Sequence, residues 1–275
     1  MRPGEVSGVA LDSKGHVFVF HRAGRKFDPT ATEPISASTV LELDAVTGAL
    51  LNSWGAGMFL VPHSLTVDAR DDVWLTDVGR QQVLEFSHDG TLLRTLGERS
   101  KPGWDARHFN QPTDVFVSAD GSFYVSDGYQ NARVARFDSS GKFVREWGSP
   151  GAGRGQFNVP HGLALGTPNR VYVADRENER LQVFDSAGTW LGQWPTSRGA
   201  GRVFDVAVSE TGRVYVALKD GPDLVAILDR DLHLVERIPA TAARVTTAHA
   251  LAVHGDSAIY LADTGGQQLL KFVRR

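Results

Sequence analysis

His63-Ser64-Leu65-Thr66-Val67-Asp68-Ala69-Arg70-Asp71-Asp72-Val73-Trp74-Leu75-Thr76-Asp77 is the stretch that decides the fold. Leu65-Thr66-Val67 reads as a short strand, Asp68 to Asp72 as a polar hairpin connection, and the residues around Trp74 as a second strand. Working outward, Val83-Leu84-Glu85-Phe86, the turn Asp89-Gly90 and Leu92-Leu93-Arg94-Thr95-Leu96 supply a third and a fourth strand. Four antiparallel strands joined by short turns make one propeller blade.

The unit recurs six times. Its first strands contain Val9-Ala10-Leu11, Leu65-Thr66-Val67, Val115-Phe116-Val117, Leu163-Ala164-Leu165, Val206-Ala207-Val208 and Leu251-Ala252-Val253, at intervals of 43 to 56 residues. That spacing suits a four-stranded blade and is too long for leucine-rich or ankyrin units. A second-strand slot carries an aromatic in every copy, Phe18, Trp74, Tyr124, Tyr172, Tyr215 and Tyr260, and is read as packing between adjacent blades. No segment shows a sustained helical period. The expectation is an all-β, six-bladed β-propeller forming one domain over residues 1–275. The sixth copy ends after Leu269-Leu270-Lys271-Phe272-Val273, one strand short, so either the last blade has three strands or an N-terminal stretch that would complete it is missing from this chain.

Composition narrows the function classes. With 275 residues, 41% of them hydrophobic, there is ample material for a core, and a net charge of −3 offers no basic stripe for nucleic acid or an anionic membrane. No apolar run approaches the ~20 residues that cross a bilayer, and Met1 to Glu5 lacks a signal peptide's hydrophobic stretch, so the chain reads as soluble. The absence of Cys removes disulfides, thiolate ligands and a cysteine nucleophile, and leaves the compartment unassigned.

Against this repeat, three histidines stand in phase. His63, His161 and His249 each lie two residues before the aliphatic residue that opens a first strand, in alternate copies. In a closed ring, alternate copies are related by a threefold arrangement, so the three imidazoles converge on the axis. Three neutral imidazoles without thiolates suit zinc and leave a coordination position open. The other histidines do not share the phase; His16, His88 and His233 fall in outer turns or edges.

Strand-one entries and strand-two exits share one end of a propeller. Asp77, Asp127, Asp175 and Asp263 occupy the exits of four copies and are read as caps of turns. Arg22, Tyr129, Arg176 and Lys219 break the repeat at that end, which marks them as site candidates. Gly148 to Gly155 is glycine-rich, but another strand follows it, with no helix to form a phosphate site. No Gly-x-Ser-x-Gly elbow is present.

The run from Gly148 to His161, with Val173-Ala174-Asp175-Arg176-Glu177-Asn178-Glu179-Arg180, resembles the NHL class of six-bladed propellers. Val6 to Asp12, Phe20-His21-Arg22, Phe109-Asn110-Gln111-Pro112-Thr113-Asp114-Val115 and Val125-Ser126-Asp127-Gly128-Tyr129 narrow the likeness to the peptidyl-α-hydroxyglycine α-amidating lyases. The resemblance runs along nearly the whole chain. It implies zinc on His63, His161 and His249, a catalytic tyrosine at Tyr129 and active-site arginines at Arg22 and Arg176. It also implies a structural calcium held by the carbonyls of Val9 and Leu65 and by an acid directly after the third histidine, where this chain has Ala250.

The reaction implied is cleavage of the N–C bond of a peptidyl-α-hydroxyglycine to a peptide amide and glyoxylate. Tyr129 would act as base, zinc as Lewis acid, and Arg22 or Arg176 would hold the substrate carboxylate bidentately. A monomer acting on a small-molecule or peptide substrate with an α-hydroxyglycine end is expected, without nucleic acid or membrane partners. Two other readings stay open: a six-bladed calcium lactonase, and a non-catalytic NHL propeller binding protein or RNA.

Overall fold

A computed structural model describes residues 3–166, 169–195 and 201–274. Its strands form six antiparallel sheets, in five of which four strands lie in simple sequence order. The first blade comprises Val6–Leu11, Val17–His21, Val40–Leu43 and Leu50–Trp54. The sixth, Ala248–His254, Ala258–Asp263 and Gln268–Val273, has three strands among the described residues.

The first strand of each blade is innermost. Val9, Ser64, Asp114, Leu163, Asp205 and Ala250, one from each blade, border a single cavity on the axis. Second strands such as Val73–Asp77 and Phe123–Asp127 are buried along their whole length, because neighbouring blades cover both of their faces. Fourth strands form the rim, where Leu92, Leu93, Leu234 and Val235 are exposed.

Six hydrophobic clusters each join two adjacent blades. Trp74 and Phe123, on the second and third blades, lie 4.8 Å apart between ring centroids. Tyr260 packs in one cluster with Val9 and Val17, so the sixth blade closes onto the first. All six residues of the aromatic slot sit in such inter-blade clusters.

Helix is confined to two 3₁₀ turns, Arg176–Asn178 and Ala240–Ala242, among the described residues. No helix there is long and apolar enough to cross a membrane.

Candidate active site

The four exit aspartates anchor the loops that deliver the site. Asp77 accepts from the backbone N–H groups of Leu60 and Val61, just before His63. Asp175 does the same for Asn158 ahead of His161, and Asp263 for Thr246 and Thr247 ahead of His249. Each carboxylate thereby satisfies donors that no sheet could pair, and fixes where its blade's first strand begins.

The three imidazoles meet on the axis as an equilateral triangle, with every pair of ring centroids 4.8 Å apart. Their outward nitrogens are committed. Nδ1 of His63 donates to the Thr113 carbonyl at 2.6 Å, that of His161 to Phe204 at 2.7 Å and that of His249 to Ser7 at 2.8 Å. Ser7, Thr113 and Phe204 occupy the histidine position of the three copies that lack histidine, so each histidine-bearing blade is oriented by the next blade's backbone. With Nδ1 protonated in this way, each Nε2 presents a lone pair. Burial pushes all three imidazoles below their ordinary pKa, His249 to about 3; Arg176 acts in the same direction on all three, and Arg22 on His63 and His249. His161 Nε2 is buried without any hydrogen-bond partner. Three neutral, carbonyl-anchored imidazoles with inward lone pairs are the donor set a divalent zinc ion takes.

Tyr129 stands over this triangle. Its hydroxyl donates to His63 Nε2 at 3.0 Å, and Arg176 Nη1 reaches the same oxygen at 3.5 Å. The approach depends on Gly128, where a Cβ would fall 1.8 Å from the Pro160 carbonyl oxygen. Arg176 opens a 3₁₀ turn directly after the second strand of its blade, and its backbone N–H donates to the Val159 carbonyl at 3.1 Å. Val159 itself sits at φ 61°, a left-handed conformation costly for a β-branched residue, two positions before His161. The guanidinium lies 5.3 Å from the Tyr129 ring and 5.1 Å from that of Phe204, and its Nε donates to Glu177.

Arg22 is more constrained than the sequence suggests. It is buried, with Nε donating to the Pro62 carbonyl at 3.0 Å and Nη1 to Glu5 at 2.6 Å. These two bonds use two of its five N–H donors and fix the guanidinium in place. Its guanidinium also covers Phe27, which in turn packs against Tyr129 at 5.4 Å. The six residues named from the sequence therefore lie around one point. Lys219, also named there, lies over Phe204 at 5.6 Å.

Known proteins share both the sequence and the shape. Residues 157–184 match the NHL repeat model. The probable peptidyl-α-hydroxyglycine α-amidating lyase pgal-1 of Caenorhabditis elegans is 31% identical over 290 residues, covering 98% of this chain and 82% of the worm protein. The chain belongs to the peptidyl-α-hydroxyglycine α-amidating lyase family.

The chain spans only part of the length of other relatives. Lyase 1 of Drosophila melanogaster is 32% identical over 99% of the chain, which spans 57% of the fly protein. The mouse peptidyl-glycine α-amidating monooxygenase is 43% identical over 203 residues, 66% of the chain and 20% of the mouse protein. A gluconolactonase of Xanthomonas campestris, with a TM-score of 0.71 over 99% of the chain at 14% identity, shares the fold.

Within this family setting, two acids escaped the sequence reading. Asp114 and Asp205 directly follow Thr113 and Phe204, in copies without histidine, and face the axial cavity of about 200 Å³ with Val9 and Leu65. Their shared repeat position was the available signal. Asp114 accepts from Ser64 Oγ and, at 2.7 Å, from the Leu163 N–H; Asp205 accepts from the Leu251 N–H at 2.8 Å. Ala250 borders the cavity but offers no side-chain ligand. Glu5 and Glu177, which hold the arginines, were also missed, since neither occupies a repeat phase.

Withdrawal from water pushes both acids up, Asp114 to about 7, and the charge of Asp114 raises Asp205 further. A raised folded-state pKa means that the native protein prefers the protonated form. The resulting penalty is absent below the ordinary value of 3.8 and grows as pH rises from there towards the folded pKa. Asp205→Asn is therefore expected to raise the melting temperature at pH 8 in calcium-free buffer and to leave it unchanged at pH 4. Equal shifts at both pH values in thermal denaturation would contradict this account.

Proposed function

We propose that this chain is a zinc-dependent lyase that cleaves the N–C bond of peptidyl-α-hydroxyglycine, or a related α-hydroxyglycine amide, to an amide and glyoxylate. The observation that carries the reading is the convergence of three neutral Nε2 lone pairs under the Tyr129 hydroxyl, with Arg176 beside it. His63, His161 and His249 would hold the zinc. Bound there, it would supply Lewis acidity to the substrate's hydroxyl oxygen or to the carbonyl developing from it.

The remaining steps belong to the chain's own side chains. Tyr129, as phenolate, takes the proton of the substrate hydroxyl as the C–N bond breaks. The bonding pair leaves with the amide nitrogen, which takes up the proton that Tyr129 removed, and the hydroxyl-bearing carbon becomes the aldehyde of glyoxylate. Arg176 supplies positive charge where the phenolate forms. Arg22 or Arg176 would hold the substrate carboxylate bidentately through its remaining N–H donors. The Asp114 and Asp205 carboxylates, with the Val9 and Leu65 carbonyls, are proposed as the calcium position, replacing the acid absent at Ala250.

Glyoxylate release from α-hydroxyhippurate tests the reading. Release is expected from zinc-loaded protein, lost on chelation and restored by zinc. No glyoxylate from the zinc-loaded chain would overturn it. A basic or aromatic face for a binding partner is not needed to account for the site, and no observation favours the lactonase chemistry.

A further inference from the structure

At the opposite end of the ring, two blades bring together two histidines and two carboxylates that the proposed reaction does not use. Asp12 follows the strand Val6–Leu11, and the backbone N–H groups of Lys14 and His16 hold its Oδ1 at 3.0 and 2.7 Å. Its Oδ2 is left facing His16 Nδ1 and His88 Nε2, both at 3.1 Å. Glu42 Oε1 lies 2.9 Å from the same nitrogen of His16 and 3.7 Å from that of His88. The carboxylates are buried and the imidazoles about a third exposed, with side-chain exposures of 28% and 32%. Asp12, His16 and Glu42 belong to the first blade. His88 comes from a hairpin of the second, its ring set edge-on against Phe18 at 5.0 Å.

The four ligand atoms all lie within 4.8 Å of one another. Zinc bonded to nitrogen and oxygen at about 2.0–2.1 Å in a tetrahedron places its ligands about 3.3 Å apart. Four of the six separations here, 2.9, 3.1, 3.1 and 3.7 Å, surround that value, and the other two lie within 4.8 Å.

One blade further on, the repeat offers a comparison. Asp68, Asp72 and Glu85 occupy the positions of Asp12, His16 and Glu42. There Arg70 lies 3.1 Å from Asp68, 3.2 Å from Asp72 and 2.9 Å from Glu85, and Arg94 reaches Glu85 at 3.0 Å. Fixed guanidinium charge, which cannot bind a metal, neutralises that cluster. Among the described residues no Lys or Arg pairs with Asp12 or Glu42; only the two imidazoles do. An imidazole nitrogen set against two acceptor oxygens either carries a proton between them or gives its lone pair to a cation that all of them bind.

We propose that Asp12, His16, Glu42 and His88 form a second, fully protein-ligated zinc site that clips the first blade to the second. Four protein ligands leave no open position, so the site is structural and distinct from the three-histidine centre.

The test is a zinc titration of the full chain after chelation, read as bound equivalents and as melting temperature. The original chain is expected to bind one equivalent more than His16→Ala, His88→Ala or His88→Arg. That equivalent is expected to raise its melting temperature by about 5 °C, a rise absent in all three variants, while His161→Ala retains both the equivalent and the rise. His88→Arg restores the charge found one blade on but not the lone pair. Unchanged stoichiometry in these variants would overturn the site, as would a rise in His88→Arg as large as that of the original chain, which would leave only a proton-bridged network. Glyoxylate release is expected to be the same in His88→Arg as in the original chain, since the cluster lies at the far end of the ring.

Discussion

Replacing His161 with Ala is expected to abolish glyoxylate release while leaving the propeller folded. His161 Nε2 is the axial nitrogen with no partner of its own, and its Nδ1 is the donor that anchors it to Phe204. Removing the ring deletes one of the three proposed zinc ligands and strands the Phe204 carbonyl. The stranded carbonyl costs about 1–3 kcal/mol of stability, a loss that a ring held by six inter-blade clusters absorbs. The catalytic cost is larger. Metal-assisted charge stabilisation is worth several kcal/mol, and each 1.4 kcal/mol is tenfold, so a loss of roughly a thousandfold or more follows. Metal analysis should show one equivalent of zinc fewer than in the original chain, with an unchanged far-ultraviolet circular dichroism spectrum. The same result is expected for His63→Ala and His249→Ala, because all three imidazoles are held in the same way. Undiminished glyoxylate release from folded His161→Ala would refute the zinc-dependent reading.

Tyr129→Phe is expected to separate proton transfer from metal binding. The phenyl ring keeps its packing against Phe27 and its place under Arg176, so the pocket retains its shape. What disappears is the oxygen lying 3.0 Å from His63 Nε2 and 3.5 Å from Arg176. Without a base the substrate hydroxyl keeps its proton, and kcat should fall about 10²- to 10⁴-fold with little change in KM. Bound zinc should be unchanged. A variant that turns over at the original rate would remove Tyr129 from the mechanism, and one that has lost its zinc would recast it as a supporting residue.

Much of this site can be read along the chain, because a propeller writes its geometry into sequence phase. Residues at one phase of the repeat occupy one level of the ring, so His63, His161 and His249 could be placed on the axis without coordinates. Tyr129 and Arg176 stand out for the complementary reason, since each breaks the pattern at the end where the histidines lie. Asp77, Asp127, Asp175 and Asp263 follow from the same logic as caps, and the folded chain uses Asp77, Asp175 and Asp263 to pin the histidine loops.

What phase cannot convey is partnership between distant elements. Glu5 occupies no repeat position, yet its carboxylate accepts from Arg22 Nη1 and fixes that guanidinium. Asp114 and Asp205 are 91 positions apart, and face each other's field only because the first strands of six blades enclose one cavity. His88 and Asp12, separated by 76 residues, read as unrelated turn residues until the second blade's hairpin comes against the first. By itself the sequence determined the six-bladed ring, the level of the three histidines and the face that carries Arg22, Tyr129 and Arg176, because strand alternation and repeat phase are properties of local chain order. Only the tertiary structure decided which nitrogen of each imidazole faces the axis, which carboxylate holds each arginine and which acids share a cavity, because those depend on contacts between distant segments that exist only once the ring has closed.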